Sequence, residues 1–205
     1  MAIEAKPARR RTQAERSAGT RARILTAAVT CLYKHGYGAT TTVSVAATAK
    51  VSRGAMLHHF PSKADLMLAT LAHVLDLNAT NFQKAAAKIQ DPRERYVSLP
   101  DLRLAASSQP GGVAFMEIMV GARSDDTVRR RFPEFQALMG KAAARLTTDV
   151  QSAGLVPSAR DHAVSRTVTL ATFGLAIQKQ IDPAADVEEV LSVLRDLKRS
   201  VMEPA

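Results

Sequence analysis

Apolar residues recur along this chain at three- and four-residue intervals and almost nowhere in strict alternation, a spacing that belongs to helices rather than strands. The first such stripe, Ile24, Leu25, Ala28, Cys31 and Leu32, predicts a core-facing helix from about Thr20. Gly36 and Gly38 close it, since glycine accepts the backbone angles a helix C-terminus needs. The run Thr40-Thr41-Thr42 offers N-cap hydroxyls to a short second helix carrying Val43, Val45, Ala46 and Ala49. Lys50-Val51-Ser52 interrupts the pattern, Ser52 caps a third short helix from Arg53 to Phe60, and Pro61 stops it. Ser62 and Asp65 then form an N-terminal signature for a long fourth helix through about Lys84.

The remainder reads as further helices with polar breaks. One opens at Asp91-Pro92 and runs to about Ser107, and Gln109-Pro110-Gly111-Gly112 reads as a loop. Helices follow from about Val113 to Ala122, from Ser124 to about Ala153, from Ser158 to about Lys179 and from Asp186 to about Met202. Gly154 to Ser158 and Asp182-Pro183 are the turns between the last three. The expectation is an all-α fold of about nine helices. Its divisions are a flexible basic arm (1–18), a helix-turn-helix unit (19–63) and a helical body (64–205).

Charge sharpens this division. The first 63 residues hold 11 Lys or Arg against Glu4 and Glu15, which accounts for the whole net charge of +9; the rest is neutral. A basic head on a neutral body suggests a polyanion-binding module joined to something else. No stretch of the chain is apolar enough to cross a membrane, and the basic N-terminus lacks the apolar run of a secretion signal. The single cysteine, Cys31, reads as a reduced core residue, and the expected location is the cytoplasm. There is no Gly-rich phosphate loop, G-x-S-x-G or H-E-x-x-H, so an enzyme is not expected, and no cofactor is. His58 and His59 are adjacent on a helix and point about 100° apart, which argues against a shared metal.

Two short helices joined by a tight turn, the second behind a Ser cap, describe a helix-turn-helix. Val45, Ala46 and Ala49 share one face, and Val51, Met56 and Phe60 close a mini-core with Ile24, Leu25 and Leu66. That leaves Arg53, Gly54, Leu57 and His58 on the side that would meet a major groove.

The run Gly36-Tyr37-Gly38-Ala39-Thr40-Thr41-Thr42, then Val45-Ala46, then Val51 through Lys63 with Asp65-Leu66, resembles the N-terminal domain of TetR-family regulators. The resemblance covers about residues 20 to 70 without a gap; beyond it only length, helix content and layout are similar. It implies base-edge positions at Arg53, Gly54, Leu57 and His58, and phosphate-contacting positions at Thr41, Thr42, Ser52, His59 and Lys63. His59 as a packed, hydrogen-bonded residue stands beside that role. Two departures matter. Lys50 stands where the family usually has Gly, so it must adopt a left-handed conformation, at about 1 kcal/mol, or change the turn. Leu57 stands where the family usually has a DNA-contacting Tyr; it either meets a thymine methyl or leaves a contact missing. Lys6, Arg9, Arg10 and Arg11 of the arm follow the phosphates, enter a minor groove or form a solvated tail.

In the body, Phe115, Met116, Met119, Phe132, Phe135, Met139 and Phe173 form a Met- and Phe-rich set in an aromatic-poor chain. The resemblance implies an effector pocket there, at Phe115, Met116, Met119, Phe135, Met139 and Phe173, for a small apolar or amphipathic molecule, with Glu117 and Arg123 as the nearest polar groups. Plain core is the competing reading of the same stripe. The last two helices carry Ala171, Gly174, Leu175, Leu191, Leu194 and Leu197, which in the resemblance pair with a second copy as a four-helix bundle. Burial within one protomer is the alternative. The function implied is a homodimeric, sequence-specific regulator of palindromic double-stranded DNA, a repressor released by its effector. An activator, a constitutive repressor and a non-specific DNA binder remain alternatives.

Overall fold

A computed structural model describes residues 12–131, 133–141 and 159–202. Arm residues Lys6, Arg9, Arg10 and Arg11, Phe132, the far half of the helix expected to reach Ala153 and the turn at 154–158 lie outside them. The described residues are helical throughout, without strands. The elements are α1 (Gln13–Ala39), α2 (Thr42–Ala49), α3 (Arg53–His59), α4 (Lys63–Ala86), α5 (Pro92–Val97), α6 (Leu99–Ser107), α7 (Pro110–Ser124) and α8 (Asp126–Arg130). Helical residues 133–141 form α9, and α10 (Ala159–Ile181) and α11 (Glu188–Ser200) end the fold.

Four boundaries differ from the sequence reading, each for a local reason. α1 starts before Thr20 because Thr12 and Glu15 make a reciprocal capping box, and the helix bends at Gly36 (φ 73°) before ending at Ala39. The helix expected over 91–107 breaks at Ser98, two residues before Pro100, which brings no N–H. Gln109 to Gly112 is not a loop: Pro110 takes the first turn of α7, where its missing N–H costs nothing. A Cβ on Gly112 would lie 2.4 Å from the Ser107 carbonyl oxygen, so α6 and α7 meet through bare backbone. The helix from Ser124 is interrupted at Arg131, ahead of Pro133.

The core does not divide at residue 63. Ile24, Leu32, Val45, Met56, Phe60, Leu66 and Leu71 form one continuous cluster with Ala114, Ile118, Val128 and Phe135. A second cluster, Leu104, Met116, Val168, Leu175, Ala176, Leu191 and Leu194, joins α6, α7, α10 and α11. Phe82, Ala86, Tyr96 and Leu99 make a third under α4 to α6. Helix α7 therefore serves both ends: Ala114 and Ile118 belong to the first cluster and Met116 to the second.

Candidate nucleic-acid interface and the cavity behind it

Both short helices are capped by their own side chains. Thr41 Oγ1 accepts from the Ser44 amide (3.0 Å) while Ser44 Oγ accepts from the Thr41 amide (2.9 Å). Ser52 Oγ accepts from the Ala55 amide (3.1 Å) and opens α3. Between them Lys50 takes the left-handed conformation (φ 53°, ψ 48°), the first of the two options expected, and its N–H bonds back to Ala46 and Ala47. Cys31 is buried, with Sγ 3.3 Å from Thr48 Oγ1, and helps seat α2 on α1.

This frame sorts α3 into two faces. Met56 and the following Phe60 are buried, while Arg53, Gly54, Leu57 and His58 are exposed together on the outer side. Thr42 is half-buried at the start of α2, and Thr41 and Ser52 are exposed beside their caps. His59 is half-buried, its ring edge-on to His58 with centroids 5.3 Å apart. Burial first, then the neighbouring charges of His58 and Arg21, hold its pKa below the usual histidine value, so near pH 7 it offers a neutral ring. Arg21 of α1, which no sequence motif singled out, lies 5.3 Å above the Phe60 ring and adds charge to this end of α3.

Lys63, expected at a phosphate, is half-buried at the start of α4. Its ammonium donates to the Tyr37 carbonyl (3.0 Å) and lies 4.0 Å from the Tyr37 ring centroid. The bend at Gly36 turns Tyr37 toward the start of α4, and its carbonyl accepts from the Lys63 ammonium as well as from the Thr40 amide (3.3 Å).

Tyr37 is also the joint between head and body, a role the sequence did not disclose. Its N–H donates to Glu117 Oε2 (2.7 Å) and its hydroxyl to Asp125 Oδ2 (2.8 Å), one partner within α7 and one at its C-cap. The hydroxyl's pKa is raised by burial and by the Asp125 carboxylate. Gly121 of α7 lies against the ring so closely that a Cβ would sit 2.1 Å from Tyr37 Cγ. Arg131, at the end of α8, pairs with Asp65 of α4 at 2.5 Å. Glu117 thus faces the head, and Arg123 is exposed.

On the opposite side α7 walls a cavity of about 130 Å³, between α4, α6 and α10. Phe115 and Phe173 line it, stacked with centroids 5.4 Å apart, together with Leu75, Ala79, Phe82 and Arg103. The other expected pocket residues are elsewhere: Met116 and Phe135 are in the two core clusters, and Met119 and Met139 are half-buried outside the lining. Phe135 is fully buried, two residues after Pro133, as part of the first core cluster.

The expected pairing surface is redistributed as well. Leu175, Leu191 and Leu194 are buried inside the protomer, and Ala171 and Leu197 are half-buried against them. The apolar positions left in solvent are Leu170, Ile177 and Ile181 on α10, in line with exposed Gly174, and Val190 and Val193 on α11. Among the described residues no group of three or more His, Cys, Asp or Glu could hold a metal ion, and no helix is long and apolar enough to cross a membrane.

Residues 24–70 match the family model for bacterial regulatory proteins of the tetR family. An HTH-type transcriptional regulator of Mycobacterium bovis is 28% identical over 183 residues, covering 87% of this chain and 92% of that protein. The HTH-type transcriptional regulator CymR of Pseudomonas putida is 38% identical over 82 residues, 40% of each chain. Among solved structures, a TetR-family transcriptional regulator from Streptomyces coelicolor superposes with a TM-score of 0.66 at 23% identity, over 91% of this chain and 99% of its own. The multidrug binding protein EbrR, complexed with imidazole, superposes with a TM-score of 0.63 at 22% identity, over 90% and 96%.

Proposed function

We propose that this chain is a TetR-family transcriptional regulator with a helix-turn-helix DNA-binding domain, working as a homodimeric repressor released by a small effector. The observation that carries the reading is the outer face of α3, where Arg53, Gly54, Leu57 and His58 are exposed together behind a buried Met56 and Phe60. Arg53 is suited to a bidentate pair with guanine, Gly54 allows close approach, and Leu57 offers an apolar contact to a thymine methyl. Thr41, Thr42, Ser52 and His59 sit at the helix starts and the α3 end, where hydroxyls, amides and a ring N–H reach phosphates. Lys63 ties the start of α4 to Tyr37, and its ammonium keeps further N–H donors for a phosphate.

One such helix reads only a few base pairs, so a second copy is required for a useful site, and the exposed stripe on α10 and α11 is the surface for it. The proposed division of labour follows: residues 12–63 carry DNA contact, and 64–202 carry pairing and the effector. The effector acts on α7. A molecule in the cavity presses on the face bearing Phe115 and Gly112, while the other face grips Tyr37 through Glu117 and Gly121. A shift of α7 moves the head and misplaces two recognition helices held about one DNA turn apart. That EbrR, which shares the fold, is a multidrug binding protein supports a ligand role.

Selection of bound duplexes from a random DNA pool tests the reading. The expected result is a palindromic site whose half-sites lie about one helical turn apart, bound roughly a thousandfold or more tighter than scrambled DNA. A pool that never converges would leave only a charge-driven, non-specific binder.

A further inference from the structure

We infer that the effector is a small organic acid, its carboxylate paired with Arg103 and its apolar part, a single ring or short chain, seated between Phe115, Phe173, Phe82 and Leu75. This rests on the reading of the cavity as the effector site and narrows it to one chemical class. Arg103 stands in the cavity wall on α6. One guanidinium nitrogen donates to Thr169 Oγ1 (3.0 Å), but its Nε–H is buried and meets no acceptor. Leaving such a donor unpaired is costly, and leaving a guanidinium without a counter-charge costs more.

The described residues around it do not supply that counter-charge. Among them, no Asp or Glu lines the cavity. Asp101, on the same helix, is held by Arg195 through two hydrogen bonds (2.7 and 2.9 Å). Asp161 accepts from Tyr96 and lies 3.7 Å from the Lys198 ammonium, itself buried to 1% exposure. Burial pushes the Lys198 ammonium down to about 8, and the charge of Arg103 acts in the same direction, so two cations share this interior with Asp161. The hydroxyls of Thr169 and Thr172 already donate to the Ser165 and Val168 carbonyls, which leaves them as acceptors only. The wall therefore presents an unsatisfied cationic donor at one side, neutral polar side chains at Asn78, Ser107 and the two threonines, and aromatic and aliphatic surface elsewhere. Carboxylate geometry matches a guanidinium edge. The volume of about 130 Å³ sets the size, because a cavity of about 150 Å³ accommodates benzene.

Calorimetric titration of the full-length chain with benzoate and hexanoate, against benzyl alcohol and hexanol, tests this in wild type and in Arg103→Met. Arg103→Gln replaces the latter should it fail to fold. Wild type is expected to bind at least one acid roughly tenfold or more tighter than its alcohol, and the Arg103 variant to lose that preference while still binding the alcohol. Equal binding of acid and alcohol by wild type, or a preference that survives loss of Arg103, overturns the assignment of an acid and leaves the cavity as an apolar effector site. No binding of any probe by a protein that still binds its DNA overturns both readings.

Discussion

Replacing Gly121 by Ala should disengage the head from the body, and the structure sets both the sign and the size. In an unobstructed helix interior this change stabilises by about 1 kcal/mol, since Ala is the better helix former. Here the new Cβ would lie 2.1 Å from Tyr37 Cγ and 2.4 Å from both Cδ atoms, so the ring must leave. Tyr37 is a buried side chain, and forcing extra volume into a packed site costs about 1–3 kcal/mol. Moving it also breaks the 2.8 Å bond to Asp125, and a hydrogen bond to a charged group contributes about 1.5–3 kcal/mol. Net of the helix gain, the loss is about 2–4 kcal/mol, which for a chain of this size lowers Tm by roughly 4–16 °C. The decisive assay is a double-mutant cycle followed by thermal unfolding. In a Tyr37→Ala background the ring is gone, and Gly121→Ala should then cost nothing or stabilise slightly, giving a coupling of about 2–5 kcal/mol. Additive losses, or a single Gly121→Ala variant that melts above wild type, would refute the reasoning.

Lys50→Gly should raise stability by about 0.5–1 kcal/mol, because relief of left-handed strain outweighs the added freedom of the unfolded chain; a lower Tm would count against strain at this turn. Stability should rise with pH between about 8 and 10, since folded Lys198 sheds its proton near 8 while the unfolded residue keeps it toward 10.5. Lys198→Met should flatten that rise by an amount of order 1 kcal/mol in pH-dependent melts, and an unchanged slope would contradict the burial of this charge. Ile177→Glu should convert a dimer to a folded monomer in light scattering, because Ile177 is exposed in the protomer. Leu194→Glu should unfold the chain instead, because Leu194 is 4% exposed in the core of one protomer.

The parts of this molecule that were legible in the sequence are those fixed by local chemistry. The two caps at Thr41 and Ser52, the strained turn at Lys50 and the inward set of Val45, Met56 and Phe60 follow from residue type and spacing, and the structure has them where the pattern puts them. Helix edges were missed where a proline acts in two ways: Pro110 opens a helix, whereas Pro100 and Pro133 follow breaks. The joint was not legible because Tyr37 meets Glu117 and Asp125 across 80 and 88 residues, and no local rule links them. The Met and Phe stripe carried the same ambiguity: side-chain type cannot distinguish Phe135, in the core, from Phe115, in the cavity wall. On α10 and α11, apolar residues lie on more than one face, so spacing alone did not separate inward Leu175 from outward Ile177.

The role of α3 is tested most directly by the affinity of wild type and Arg53→Ala for the selected site and for a scrambled duplex, at one fixed salt concentration. Arg53 is exposed and at the first position of its helix, so its loss should leave the melting temperature unchanged. Binding to the selected site should weaken by about 1–3 kcal/mol per half-site, most at a single guanine position, while scrambled DNA loses far less. Unchanged affinity of Arg53→Ala for the selected site, or equal losses on both duplexes, would contradict sequence reading by this helix.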